Sequence, residues 1–351
     1  MAKGFTKALM EWHRHENDRS MPWKGEKDPY KVWLSEVILQ QTRVEQGRGY
    51  YERFVEAYPD VSSLAAASDR DVFKLWEGLG YYSRCRNLLE TARRIARDCG
   101  GVFPNTHPGL LALKGVGPYT AAAIASFAFG LPHAVVDGNV VRVLARVFGM
   151  SETIDKASSR RAFAELAQSL LDRSDPGAFN QAMMDFGAVV CKPASPLCGS
   201  CFMAGGCVAL SKGLVDALPV KKPKSERRRR WIYYVHVSCG GSILVRERQG
   251  RDIWRGLNEL YSIESEESLT LNELASHPLL WTLTQGNALD HGAIGREYLH
   301  ILTHQEIRGR FLALEIPAPR PVVPGYRWVR LKEVEELAFP KPVAEYLRKK
   351  R

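Results

Sequence analysis

Four cysteines crowd into one short stretch near the middle of the chain: Cys191, Cys198, Cys201 and Cys207, spaced C-x6-C-x2-C-x5-C. This feature constrains the fold most, because four thiols so close in sequence nearly fix a metal site, the alternatives being a disulfide pair or chance crowding. Four thiolates are what soft metals and iron–sulfur clusters require. Disulfides belong to oxidising compartments, and no secretory signal run precedes the cluster, so metal is the favoured reading. A zinc ribbon usually carries two C-x2-C knuckles. Here only Cys198 and Cys201 form one, which points toward a [4Fe–4S] cluster. Cys85, Cys99 and Cys239 read as buried or incidental thiols.

The chain has 351 residues, enough for two ordinary domains, and carries a formal net charge of +10. A basic excess of this size suits a polyanion, nucleic acid first, although many soluble enzymes are simply basic. Met1 to Asn17 mixes charged and apolar residues without the long apolar run of a signal peptide or membrane span. A reducing, cytoplasmic setting is expected.

The two halves follow different patterns. Helical periodicity marks Val32–Gln41, Ser62–Leu75, Asn87–Arg97, Tyr119–Phe129, Asn139–Phe148, Ser158–Asp172 and Phe179–Val190, with Pro and Gly at the joints. This predicts an all-α region over 1–211. Lys212 to Arg230 has few large apolar residues and ends in KKPKSERRRR, as a basic linker or strap would. From 231 to 351 an α+β domain is expected. Trp231–Ser238 and Ser242–Arg248 flank Gly240–Gly241 as a hairpin. Further strands are predicted at Glu297–His304, Arg308–Glu315 and Arg327–Val329, and short helices at Leu331–Leu337 and Val343–Lys350.

Three places in the helical half carry chemistry. Lys114-Gly115-Val116-Gly117-Pro118-Tyr119-Thr120 opens a helix after a short apolar turn. Gly115 and Gly117 permit close backbone approach, Pro118 suits a first helical turn, and free N–H groups there can hold a phosphate. The pattern reads as a helix-hairpin-helix, which grips a DNA backbone without reading its sequence; an ordinary Gly-rich turn is the alternative. Asp137, eighteen residues beyond Tyr119, opens another helix. It reads as an N-cap, and a helix N-terminus favours its ionised form. Glu36 stands among Val32, Trp33, Leu39 and Gln40 at helical spacing. An acid on an apolar stripe is driven toward its protonated form, as a general acid requires, unless it lies at the stripe's edge in solvent. One raised acid and one held ionised is the division of labour that cleaves glycosidic bonds.

Together these residues resemble the endonuclease III superfamily of DNA glycosylases. Within it the motifs MPWK (Met21–Lys24), VWLSEVILQQT (Val32–Thr42), GLGYYSR (Gly78–Arg84), GVGPYTA (Gly115–Ala121), VVDGNVVRV (Val135–Val143) and NQAMMDFGAVVC (Asn180–Cys191) are similar, in order, to the MutY family of adenine glycosylases. The resemblance implies a six-helix barrel over about 21–130 and an iron–sulfur subdomain formed by about 1–20 with 131–211. It implies a MutT-like (Nudix-fold) domain over 231–351 that helps read 8-oxoguanine. The implied partner is double-stranded DNA with adenine opposite 8-oxoguanine or guanine, bound by a monomer with no membrane. The implied reaction flips the adenine out of the stack. Glu36 protonates it at N7 and later serves as base toward water, and Asp137 stabilises the oxocarbenium-like sugar or captures it covalently. Tyr119 and Asn139 help position the two acids. Arg19, Trp23 and Gln181 line the adenine pocket. Gln41, Thr42 and Tyr81 probe the helix beside 8-oxoguanine, where Trp23 and Tyr81 read alone would pass for core residues. Cys191, Cys198, Cys201 and Cys207 hold the [4Fe–4S] cluster.

Some positions depart from the family pattern. Lyase-active relatives carry a lysine nucleophile where this chain has Tyr119, and a phenol cannot form a Schiff base, so a monofunctional enzyme is implied. The loop that contacts 8-oxoguanine is Leu302-Thr303-His304, without the family's aromatic. Thr303 keeps a hydroxyl. Lys24 stands where arginine is common, and Lys114 where the hairpin usually has proline. Trp254–Glu259 is not followed by the acidic cluster that would hold Mg²⁺, so pyrophosphate hydrolysis is not expected. A glycosylase for another lesion and a non-catalytic damage binder are the competing readings.

Overall fold

The computed structural model describes residues 2–154, 156–220, 226–284, 294–317 and 324–350. The chain divides into two compact units, one of Met1–Ala67 with Ser83–Pro223, the other of Ser68–Tyr82 with Lys224–Arg351. Lys221–Ser225 of the basic linker lie outside the described residues.

The first unit is helical: α1 (Ala2–His15), α2 (Pro29–Leu39), α3 (Val44–Ala57), α4 (Val61–Ala66), α6 (Ser83–Asp98), α7 (His107–Leu111), α8 (Pro118–Phe127), α9 (Gly138–Phe148), α10 (Ala157–Leu170), α11 (Pro176–Val189) and α12 (Val208–Ser211), with α5 (Asp69–Leu75) in the second unit. The predicted helix over Ser62–Leu75 is broken. Ala67 is extended, and the Ser68 side chain accepts from Asp71 N–H to start α5 afresh. Helices α1 and α3 were not foreseen. Their apolar residues, Phe5, Leu9, Met10 and Trp12 on α1 and Tyr51 and Phe54 on α3, are buried, but charged neighbours mask the pattern.

Helices α2 and α9 are enclosed almost all round. Asp28 caps α2 by accepting from Tyr30 N–H at 2.9 Å, and Pro29 sets its first turn. Helix α2 packs against α3, α6 and α8, so Val32 to Ile38 are buried without interruption. Helix α9 is surrounded by α10, α11 and α12, and Val140 to Val147 are buried as well, Arg142 and Arg146 included. Neither helix has a solvent face over these turns, so polar residues on them need partners.

The second unit holds a six-stranded sheet of order β4-β5-β1-β3-β2-β6, from β1 (Arg228–Cys239), β2 (Ser242–Glu247), β3 (Asn258–Ser265), β4 (Ile294–Ile301), β5 (Gln305–Glu315) and β6 (Tyr326–Arg330). Strand β1 pairs parallel with β5, while the other pairings are antiparallel. Helices α13 (Leu271–Ala275), α14 (Pro278–Thr284), α15 (Leu331–Val334) and α16 (Lys341–Lys349) complete it. Arg228–Arg230, expected as linker, already belong to β1. The strand expected to run to His304 stops at Ile301, and Leu302 N–H bonds to Gln305 O across a tight turn. Strand β3 escaped the sequence pattern because Asn258 to Ile263 are all buried, which removes the alternation. Among the described residues no helix is long and apolar enough to cross a membrane.

Candidate active site

A cavity of about 400 Å³ opens in the helical unit and collects residues far apart in sequence. Its lining includes Arg19, Trp23, Glu36, Thr42, Tyr119, Asp137, Asn139 and Gln181. Glu36 comes from α2, Tyr119 from the first turn of α8, Asp137 and Asn139 from the start of α9, and Gln181 from α11. Trp23 is buried and meets Tyr51 edge-on, with ring centroids 5.3 Å apart.

The two acids are held differently. Glu36 is only 6% exposed. Burial pushes its carboxyl up to about 7, the nearby charge of Asp137 pushes the same way, and a hydrogen bond with Tyr119 opposes them. Asp137 is the N-cap of α9, accepting from Val140 N–H and from Asn139 Nδ2, both at 2.7 Å. These bonds favour the ionised form, yet burial outweighs them and its pKa is raised. The helix end and the enclosure of the cavity therefore act on Asp137 in opposite directions, the cap bonds favouring the anion and burial opposing it. Asn139 is fixed in turn by Arg142, whose Nη2 donates to Oδ1 at 2.8 Å. Burial and the two acids raise the Tyr119 phenol well above its usual range. It stays a neutral hydroxyl beside Glu36.

One residue of this region went unremarked in the sequence. Asp185, on α11, has no exposed side-chain surface and holds four partners. Arg19 Nη1 and Gln181 Nε2 donate to its Oδ1 at 2.8 and 2.9 Å. Asn17 Nδ2 donates to Oδ2 at 2.8 Å, and Lys24 Nζ lies 3.2 Å from the same oxygen. The spacing of Gln181 and Asp185, one helical turn apart, was the available signal.

Other candidate residues do not line the cavity. Gly115 has φ +77, and a Cβ there would come within 2.8 Å of Asn87 Cβ, so the hairpin needs glycine. A Cβ at Gly117 would meet nothing, leaving the N-terminus of α8 open to a ligand. Lys114 pairs with Glu90 at the surface. Gln41 and Tyr81 both adopt positive φ, +58 and +47, and both are exposed. Non-glycine residues held there store strain, which collects at functional sites. In the second unit the Tyr81 hydroxyl lies 2.5 Å from Thr303 Oγ1. Thr303 and His304 are exposed on the turn between β4 and β5. Glu259 is fully buried between Arg246 and Arg248, each 2.7 Å away, so this carboxylate is already paired.

The four clustered cysteines line one small hollow with Val147, Val190, Leu197 and Met203. Among the described residues no three His, Cys, Asp or Glu side chains are gathered as a single metal ion needs. A four-iron cluster binds each thiolate to a different iron, so its sulfurs stand further apart than around one ion. The donor set and the shared apolar hollow fit such a group. Arg146 fastens the wall, donating to Lys192 O at 2.7 Å and to Cys191 Sγ at 3.6 Å.

Comparison with known proteins agrees with this geometry. Residues 34–169 match the family described as HhH-GPD superfamily base excision DNA repair protein, and residues 232–349 match the NUDIX domain. The rat adenine DNA glycosylase is 34% identical over 95% of this chain and 75% of its own length. The adenine DNA glycosylase of Buchnera aphidicola (subspecies Baizongia pistaciae) is 31% identical over 72% of each chain. Among solved structures, a thermostable thymine-DNA glycosylase superposes with a TM-score of 0.55 at 31% identity, covering 60% of this chain and 97% of its own. A non-covalent endonuclease III–DNA complex superposes at 0.53 and 22% identity over 61% of this chain and 98% of its own, which shows the shared fold.

Proposed function

This chain belongs to the adenine DNA glycosylases, hydrolases of N-glycosyl bonds that act in base excision repair, and on that premise we propose that it removes adenine paired with 8-oxoguanine or guanine. The observation that carries this reading is a buried cavity in which an acid raised to about 7 faces a second acid capped by a helix. The adenine enters it flipped out of the duplex. Glu36 gives its proton to N7 as the C1′–N9 bond breaks and the bonding electrons leave with the base. Asp137 stabilises the oxocarbenium-like sugar or captures it in a transient adduct. Glu36, now a carboxylate, takes a proton from the water that adds to C1′. Tyr119 and Asn139 hold the acids in place, and Arg19, Trp23 and Gln181 receive the base. With no amine at Tyr119, strand cleavage by β-elimination has no Schiff base to proceed through.

Cys191, Cys198, Cys201 and Cys207 would hold a [4Fe–4S] cluster with every iron bound to thiolate. Bound there, it supplies no open site and acts as a staple that shapes the loop carrying Lys192. Gly115 and Gly117 would approach a DNA phosphate at the start of α8, while Gln41, Thr42, Tyr81, Thr303 and His304 would meet the 8-oxoguanine side. We take the enzyme to act as a monomer.

The test is a single-turnover incubation with a duplex holding adenine opposite 8-oxoguanine, read before and after alkali. Adenine release with strands breaking only in alkali is expected; no release, or breakage without alkali, rejects the reading. The rate should also depend on pH. The protonated form of Glu36 is the active acid, so activity falls as pH rises through about 7, by roughly tenfold per unit beyond it. A flat profile between pH 6 and 9 would remove Glu36 as the acid. Thr303→Ala should lower the preference for 8-oxoguanine over guanine by about fivefold, the worth of one hydrogen bond. Equal losses on both duplexes would take Thr303 out of lesion reading.

A further inference from the structure

We propose that Asp185, which lies behind the cavity wall, makes the pocket selective for a 6-amino purine by fixing which end of the Gln181 amide faces the base. The inference rests on the adenine reading of the cavity and adds a residue that never touches the substrate.

Asp185 is buried and lies against two cations, Arg19 at 2.8 Å and Lys24 at 3.2 Å. A carboxylate so paired only accepts hydrogen bonds. Gln181 stands one helical turn before it on α11 and meets its Oδ1 at 2.9 Å. Of the two ends of an amide, only the NH₂ group can make that bond; the reverse orientation would set oxygen against oxygen. The amide orientation is therefore dictated by a neighbour that cannot donate. Gln181 also lines the cavity, so the end left for a ligand is its carbonyl oxygen. That oxygen accepts from an exocyclic amine, which adenine has at C6. Hypoxanthine and guanine carry an oxo group in that place, and it would be repelled. The same carboxylate oxygen holds one nitrogen of Arg19, leaving the rest of that guanidinium to donate to acceptor nitrogens of the ring. Asp185 is thus a positioning residue. A purely structural role is the competing account, since Asn17, Arg19 and Lys24 also strap the segment after α1 onto α11 through it.

Selectivity separates the two accounts. In Asp185→Asn, Lys24 and Asn17 would draw the new amide oxygen to the Oδ2 side, its NH₂ group would take the Oδ1 place beside Gln181 and Arg19, and the Gln181 amide would turn to present its own NH₂ to the cavity. Single-turnover rates are measured on the full protein with adenine or hypoxanthine opposite 8-oxoguanine. Relative to the unmodified protein, the adenine-to-hypoxanthine ratio should fall at least about tenfold in Asp185→Asn, as expected when a site's polar match is reversed. Gln181→Leu should lower the same ratio, and adding Asp185→Asn to it should change the ratio no further. An Asp185→Asn protein that slows both substrates equally overturns the proposal and leaves Asp185 as an anchor. Should that variant not fold, Gln181→Leu decides alone, and an unchanged ratio overturns it. Unmodified protein that releases no adenine would instead reject the glycosylase reading itself.

Discussion

Glu36→Gln is expected to reduce adenine release by on the order of 10³-fold or more while leaving mispair binding intact. Glutamine keeps the shape and can still meet Tyr119, but it has no proton to give N7 and no carboxylate to activate water. The same change should stabilise the protein. Glu36 has a folded-state pKa raised from 4.5 to about 7. Between those values the folded state binds more protons than the unfolded chain, so this group's contribution to stability falls as pH rises through the window. Above pH 7 the whole penalty is in force, and a neutral amide relieves it. The gain should approach about 3 kcal/mol at pH 8 and vanish near pH 4. Urea unfolding at the two pH values, beside duplex-binding titrations, checks both halves. A variant that is inactive, unstable and unable to bind would make Glu36 a structural residue.

Cys198→Ala should have the second large effect. Purified protein is expected to lack the visible absorption of an iron–sulfur cluster and to bind duplex at least about tenfold more weakly, as the loop bearing Lys192 loses its shape. Cys99→Ala provides the control, since Cys99 is exposed and remote in sequence from the four clustered thiols. It should keep both absorption and affinity. Undiminished binding by a Cys198→Ala protein without the absorption would show that the loop holds itself.

Much of the site was legible because its residues sit in short, distinctive motifs. The thiols and the hairpin glycines stand out by spacing, and the acids take their roles from the family resemblance. What spacing could not supply was environment. Glu36 read as a residue that could equally lie at the edge of an apolar stripe, and only the packing of α3, α6 and α8 around α2 buries it. Asp137 read as an N-cap whose helix end favours the anion; the cap bonds are local and legible, while the enclosure that raises its pKa is not. Asp185 looked like an unremarkable acid within a helix. Its importance comes from Asn17, Arg19 and Lys24, more than 160 residues away. Strand β3 was lost because a strand buried on both faces carries no alternation.

The division of the chain also bears on the order in which it can fold during synthesis. Residues 68–82 lie within the first quarter of the sequence but belong to the second unit. Glu77 accepts from Phe339 N–H at 2.9 Å, and Lys74 donates to Leu337 O at 3.0 Å. A ribosome must therefore reach Phe339 before this early segment, with Tyr81 near its end, meets those partners. Most of the helical unit can close beforehand, as domains generally do when synthesised first. Premature termination between residues 230 and 337 would leave Glu36 and Asp137 in place while stripping the Tyr81 segment of those contacts.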